Sequence, residues 1–250
     1  MGWQVSEFAT GLIPRDYSAY PSGYCSVAPA APDEWLIPEN EWEERLREQK
    51  ANRASLLDLR ERYYPTLKSL NQGQHPLCWG FSTTKAGMYL AHSMGDTSLV
   101  LSPWWIAGKA NGWKNQGGWC TLSLKAAAEV GAVEMQDCPS FSRSYDTSEN
   151  AAKARTRRVI EWYDGSESRD RNRAIMISAF LIGRAPVLDL NWMGHSMCGC
   201  YLESINPLVV YADNSWGEID QYGPKGLYKL TGNRAIPDGI VVPRVIAPSE

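Results

Sequence analysis

The chain has 250 residues, which suits one large domain or one domain with an appendage, and a core of that size needs no disulfide or metal staple. Its 28 acidic and 25 basic residues leave a net charge of −3, so it lacks the basic excess of a nucleic-acid binder, and no apolar run nears the roughly 20 residues of a bilayer span. Six scattered cysteines and only three histidines, His75, His92 and His195, restrict the chemistry available.

Residues 1–33 carry Pro14, Pro21, Pro29 and Pro32 with no helical or strand period, and are expected to be an extended arm. Met1–Ser6 fits a bare acylation pattern, but one lipid chain anchors weakly and no anchoring is expected. No basic start followed by an apolar stretch marks a signal peptide, and the unpaired cysteines suit a reducing, intracellular setting. Residues 34–54 are dense in Glu, Arg, Lys and Leu and predict a solvated charged helix. Residues 1–54 thus form an N-terminal extension, and 55–250 the main domain.

Within the main domain, a helical lobe over about 65–145 contains helices from Cys78 to about Ser93, from Ser102-Pro103 onward, and from about Thr121 to Val130, stopping at Gly131. Residues 143–158 read as a surface connection, helical through Ala151–Arg157, and the mixed charges of Arg155–Arg173 read as a solvated face. A further helix is expected near Asn172–Ile182. A β-rich lobe, within about 159–246, then holds strands at Val187–Trp192, Met197–Leu202, Leu208–Ala212, Leu227–Leu230 and Ile240–Ile246. Helices first and strands second define an α+β class in two lobes.

Cys78 opens a predicted helix, where unsatisfied amides and the helix dipole favour a thiolate, so it is the best nucleophile among the cysteines. His92 lies fourteen residues along the same helix, about 21 Å away, and cannot serve it. His75, three residues before Cys78, is poorly placed to be a separate base. His195 arrives from the other lobe, and a base facing a nucleophile across two lobes makes a cleft. Cys198 and Cys200 with His195 leave no fourth ligand evident, so no metal is expected.

Four motifs carry a resemblance. Gln72-Gly73 stands six residues before Cys78, which continues as Cys78-Trp79-Gly80-Phe81-Ser82; Gly117-Gly118-Trp119 follows; then come Gly194-His195-Ser196 and, nineteen residues after the histidine, Asn214-Ser215-Trp216-Gly217. Together, over roughly residues 65–232, they resemble the papain-like cysteine peptidases. The resemblance implies a papain-like two-lobed fold and an endopeptidase acting on a polypeptide substrate with no cofactor. It implies Cys78 as nucleophile, His195 as acid and base, Asn214 as the orienter of His195, and Gln72 with the Cys78 amide as oxyanion hole. Gly117, Gly118, Trp119 and Gly194 would bind substrate, Gly118 through its backbone, with Trp119 and Gly194 beside an apolar pocket. Trp79 and Trp216 would support the site, Trp216 lying over the Asn214–His195 contact. Secreted relatives have a disulfide across the places held here by His75 and, near Asn115, no cysteine. After Gly217 a second Trp-Gly pair is replaced by Glu218-Ile219-Asp220-Gln221-Tyr222-Gly223.

Residues 1–54 carry no motif of the usual inhibitory helix, and propeptide and tether to a larger protein assembly stand as even alternatives. In the tether reading the chain is an adaptor that keeps a protease-like domain. Transfer to an acceptor other than water needs the same groups and stays open.

Overall fold

The structure is a computed structural model and describes residues 9–219 and 223–246; Met1–Ser6 lies outside them. The helical lobe is built around α3, Cys78–Ser93, which is buried from Cys78 to His92. A helix buried on all sides belongs at the centre of a domain, and α3 packs against both lobes. Two further helices flank it. In α4, Pro103–Asn111, the Ser102 hydroxyl accepts from the Trp105 amide, Pro103 starts the first turn, and left-handed Gly112 ends it. α5 is shorter than expected, Cys120–Lys125, because the chain widens into a π turn over Ala126–Val130 before Gly131.

The other lobe is a six-stranded antiparallel sheet: β1 Val159–Asp164, β2 Val187–Leu190, β3 His195–Ile205, β4 Leu208–Asp213, β5 Leu227–Thr231 and β6 Gly239–Ile246. The spatial order is β1-β6-β2-β3-β4-β5. Five of these strands match the sequence expectation. β1 corrects it: Arg155–Arg173 is not one solvated face, since Trp162 and Asp164 are fully buried within it. Charge misled here because β1 is an edge strand whose Glu161 faces outward to Arg244, while alternate residues enter the core. A helix, Ser148–Arg155 (α6), precedes β1, and another, Arg169–Leu181 (α7), follows it.

The expected charged helix over 34–54 is broken up. Short 3-10 turns occupy Asp33–Trp35 and Glu39–Glu41, α1 runs over Trp42–Ala51, and α2 begins afresh at Leu56–Arg62 with a Ser55–Asp58 capping box. Pro38 lacks an amide and disfavours helix in the residue before it, so the helix cannot start earlier. α1 is not free: Trp42 and Leu46 are buried, α1 packs on α7, and Gln49 donates to the Phe180 carbonyl at 2.6 Å. No helix among the described residues is long and apolar enough to cross a membrane.

Candidate functional site

Cys78 sits at the first position of α3, which no side chain caps, and is fully buried. Burial pushes its thiol up to about 12, although the amides of Ser196, Trp79 and Gly11 oppose that rise. His195 begins β3 on the facing lobe. Its Nε2–H donates to Asn214 Oδ1 at 2.8 Å, and Asn214 follows directly on β4. The Trp216 ring stacks on the imidazole with centroids 4.5 Å apart. Burial lowers His195 to about 4, and Asn214 offsets only part of that. Nδ1, the ring nitrogen not bonded to Asn214, has no hydrogen-bond partner among the described residues. Thiol and imidazole are therefore both neutral near pH 7 in this arrangement.

Gln72 is fully buried beside them. Its Oε1 accepts from the Ser215 hydroxyl at 2.5 Å, which turns the Nε2 amide outward. That amide donates to the His75 carbonyl at 2.7 Å and to the Ala9 carbonyl at 3.0 Å. Trp216 Nε1–H donates to the same Ala9 oxygen at 3.1 Å. Two donors converging on one carbonyl oxygen form the kind of pocket that stabilises a developing oxyanion.

The N-terminal arm fills the cleft. The Gly11 and Leu12 amides donate to the Gly194 carbonyl at 3.2 and 3.0 Å. Gly118 donates to the Gly11 carbonyl at 2.8 Å and accepts from the Ile13 amide at 2.9 Å, a parallel bridge centred on Leu12. The fit is close on both sides. A Cβ on Gly11 would stand 2.2 Å from the Pro76 carbonyl oxygen, and one on Gly117 would stand 2.6 Å from the Gly11 oxygen. Gly118 in turn lies on the Trp79 ring, where a Cβ would come within 2.9 Å. Trp119 reaches away from these contacts to pack on the arm's Tyr20 at 5.1 Å.

The structure thus brings Cys78, His195, Asn214, Gln72, Trp79, Trp216, Gly117, Gly118 and Gly194 to one cleft, with Trp119 at its edge. His75 and His92 stand elsewhere. His92 Nδ1 bonds the Met88 carbonyl at 2.9 Å inside α3. His75 Nδ1–H donates to Asn115 Oδ1 at 3.0 Å, a polar clasp across the places where secreted relatives have a disulfide. Sequence reasoning missed Ser215, whose role is visible only when Gln72 is beside it, although it lies inside a motif already singled out. It also missed Ala9 to Ile13, whose fit depends on the cleft, and the carboxylates Asp164 and Asp189 nearby.

No protein-family model matches the chain, and no curated protein matches it. Solved structures do. Xylellain, a cysteine protease from Xylella fastidiosa, is similar over 98% of this chain and 99% of that one, with TM-score 0.62 and 13% identity. Digestive procathepsin L 3 of Tenebrio molitor is similar over 71% of this chain and 66% of that one, with TM-score 0.55 and 18% identity. The Carica candamarcensis cysteine protease solved with E-64 is similar over 70% and 92%, with TM-score 0.55 and 16% identity. The architecture of this chain is the papain-like two-lobed fold.

Proposed function

We propose that this chain is a papain-like cysteine endopeptidase whose N-terminal extension holds it in a closed form. The observation that carries the reading is the convergence of an Asn-oriented histidine, a helix-start cysteine and two oxyanion donors in one cleft between lobes. Once hydrated, Cys78 gives its proton to His195, and the thiolate attacks the carbonyl carbon of the scissile bond. The electron pair moves to the oxygen, which the two donors that converge on the Ala9 carbonyl, Gln72 Nε2 and Trp216 Nε1, hold in place of the expected Gln72–Cys78 amide pair. His195 then protonates the departing amine, leaving a thioester that water opens with His195 as base. Asn214 keeps Nε2 protonated so that Nδ1 is the atom that exchanges protons.

The extension, residues 1–54, is read as a propeptide rather than a tether, because residues 9–13 lie in the chain's own cleft. Its direction explains why it is not simply cut. Gly118 and Gly194 are expected to hold the acyl side of a substrate, the part preceding the scissile carbonyl. Here they hold Gly11 to Ile13, which follow the carbonyl that Gln72 grips. The arm therefore runs backwards across the nucleophile. It also dehydrates Cys78 and His195, which keeps both neutral.

The test is intact-mass measurement after treatment with a peptidyl epoxide, on the full chain, on Arg15→Ala and on Cys78→Ala. One adduct is expected on Cys78, slowly in the full chain and faster in Arg15→Ala, with none in Cys78→Ala. Absence of a Cys78 adduct in both of the first two would sink the peptidase reading.

A further inference from the structure

Beside Gly118 the cleft wall continues into the start of α5, and two buried carboxylates stand behind it. Asp164 ends β1 and is fully buried. Its Oδ1 accepts from Arg15 Nη1 at 2.8 Å, and its Oδ2 accepts from Arg15 Nη2 at 2.9 Å and from the Gly23 amide at 2.9 Å. Among the described residues, every hydrogen bond to that carboxylate comes from the arm. Asp189 lies on β2 and is 3% exposed. Its Oδ2 accepts from the Cys120 amide at 2.9 Å, while Oδ1 meets no well-aligned donor among the described residues. The nearby Ser196 hydroxyl, which also pairs with Ser82 at 2.8 Å, and the Cys120 side chain oppose the rise that burial imposes on the Asp189 carboxyl.

The Arg15 guanidinium occupies this recess as a bound cation would. It also donates to Thr121 Oγ1 at 3.2 Å and lies over the Tyr17 and Tyr24 rings at 4.4 and 4.9 Å. Asp189 holds the Cys120 amide and Arg15 the adjoining Thr121 hydroxyl, so both groups meet at the first turn of α5, two residues on from Gly118. Among the described residues no lysine or arginine of the main domain pairs with Asp164, whose ion pair is with Arg15. A buried carboxylate without a cation is costly, so the wall demands a replacement whenever the arm leaves.

We propose that the Asp164–Asp189 recess is a cation-binding subsite of the cleft, filled by Arg15 while the arm is docked and by an arginine or lysine side chain of a polypeptide substrate once it departs. The assignment to substrate rests on the peptidase reading above; the existence of the cation site does not. Arginine is favoured over lysine, because Asp164 offers both oxygens to two parallel N–H donors. The pocket expected to be apolar beside Trp119 and Gly194 is thus acidic at its far side, and the arm's Arg15 imitates the side chain it selects.

Ethylguanidinium and its neutral isostere ethylurea test the site directly on the full chain carrying Arg15→Ala. Ethylguanidinium is expected to raise the unfolding temperature saturably and ethylurea to leave it unchanged. The response should vanish in Arg15→Ala/Asp164→Asn, and in Arg15→Ala/Asp189→Asn if the first double variant does not fold. No saturable response, or an equal response to ethylurea, overturns the site. On the same Arg15→Ala chain, peptides with arginine at the residue facing Gly118 should exceed leucine peptides in kcat/KM by about tenfold or more, the scale of a lost specific polar contact. That ratio should collapse in the Asp189→Asn double variant, and a leucine preference in both would overturn the substrate assignment. If no peptide is cut and Cys78 takes no epoxide, the peptidase reading fails while the ethylguanidinium titration still decides the recess.

Discussion

Two buried aspartates, Asp213 and Asp164, are compensated in opposite ways. Asp213 ends β4, one residue before Asn214, and among the described residues the hydrogen-bond and ion-pair partners of its carboxylate all belong to residues 60–89. Ser69 donates to Oδ1 at 2.5 Å, Tyr89 to Oδ2 at 3.0 Å, and Arg60 and Lys85 stand 3.3 and 3.4 Å from Oδ2. Burial pulls the Lys85 pKa down, which Asp213 opposes. Asp164 relies instead on Arg15 and Gly23 of the arm. The first charge pair pins the strand end that presents Asn214 and can be lost only by unfolding. The second can be lost by arm release, so the same chemistry serves as permanent structure in one place and as a detachable latch in the other.

Asp213→Ala should break this contrast most severely. It strands two buried cations, Arg60 and Lys85, and is expected to cost about 3–5 kcal/mol, read as a fall in the thermal midpoint of the whole chain. Wild-type stability in that variant would mean the cluster is not a structural pin. Arg15→Ala removes a cation whose side chain is only 4% exposed, from a partner that is fully buried. A deficit of about 3 kcal/mol at a releasable contact corresponds to roughly a hundredfold shift toward the open arm. Epoxide labelling of Cys78 should accelerate accordingly, with the thermal midpoint falling less than in Asp213→Ala.

Gly11→Val attacks the same closure sterically, through the 2.2 Å clash with the Pro76 carbonyl. Overpacking of about 1–3 kcal/mol predicts labelling roughly tenfold faster than in the unmodified chain. If labelling is unchanged, residues 9–13 do not control access to Cys78.

Acid should favour opening as well. The closed form holds His195 at about 4, below its ordinary value of about 6.5, so the open form binds more protons between those limits. The closing contribution of His195 is full above about 6.5 and is lost as pH falls toward 4. Hydrogen exchange at the Gly11, Leu12 and Ile13 amides, normalised to intrinsic rates, should rise across that window and flatten in His195→Gln. The smallest effect is expected at the exposed Arg45–Glu41 pair, 50% and 39% exposed. Arg45→Ala should change stability by about 0.5 kcal/mol or less and leave Cys78 labelling untouched.

The cleft was legible where its chemistry is written in short motifs. Cys78, His195 and Asn214 keep their order and spacing, and α3 begins and ends as its helix formers and its Gly95 stop indicate. Ser215 was missed because its hydroxyl acquires a purpose only against Gln72, 143 residues away. β1 was missed because Glu161 marks the outer side of an edge strand whose buried residues, Trp162 and Asp164, are visible only in the sheet. The arm looked featureless because its regularity lies in its partners: Leu12 pairs with Gly118, and Ala30 with Asp164.

Sequence by itself determined the core helices α3 and α4 and most strands, since their periodicity, caps and breakers act within a few residues. It also singled out Cys78 and His195 as the candidate pair, through the motifs that surround them. Tertiary structure alone decided that the meeting place is closed. The parallel course of residues 9–13 beside Gly118, the burial of Cys78 and His195, and the placement of Arg15 against Asp164 all depend on contacts between distant segments. Burial and charge compensation belong to the assembled cleft, and no local pattern encodes them.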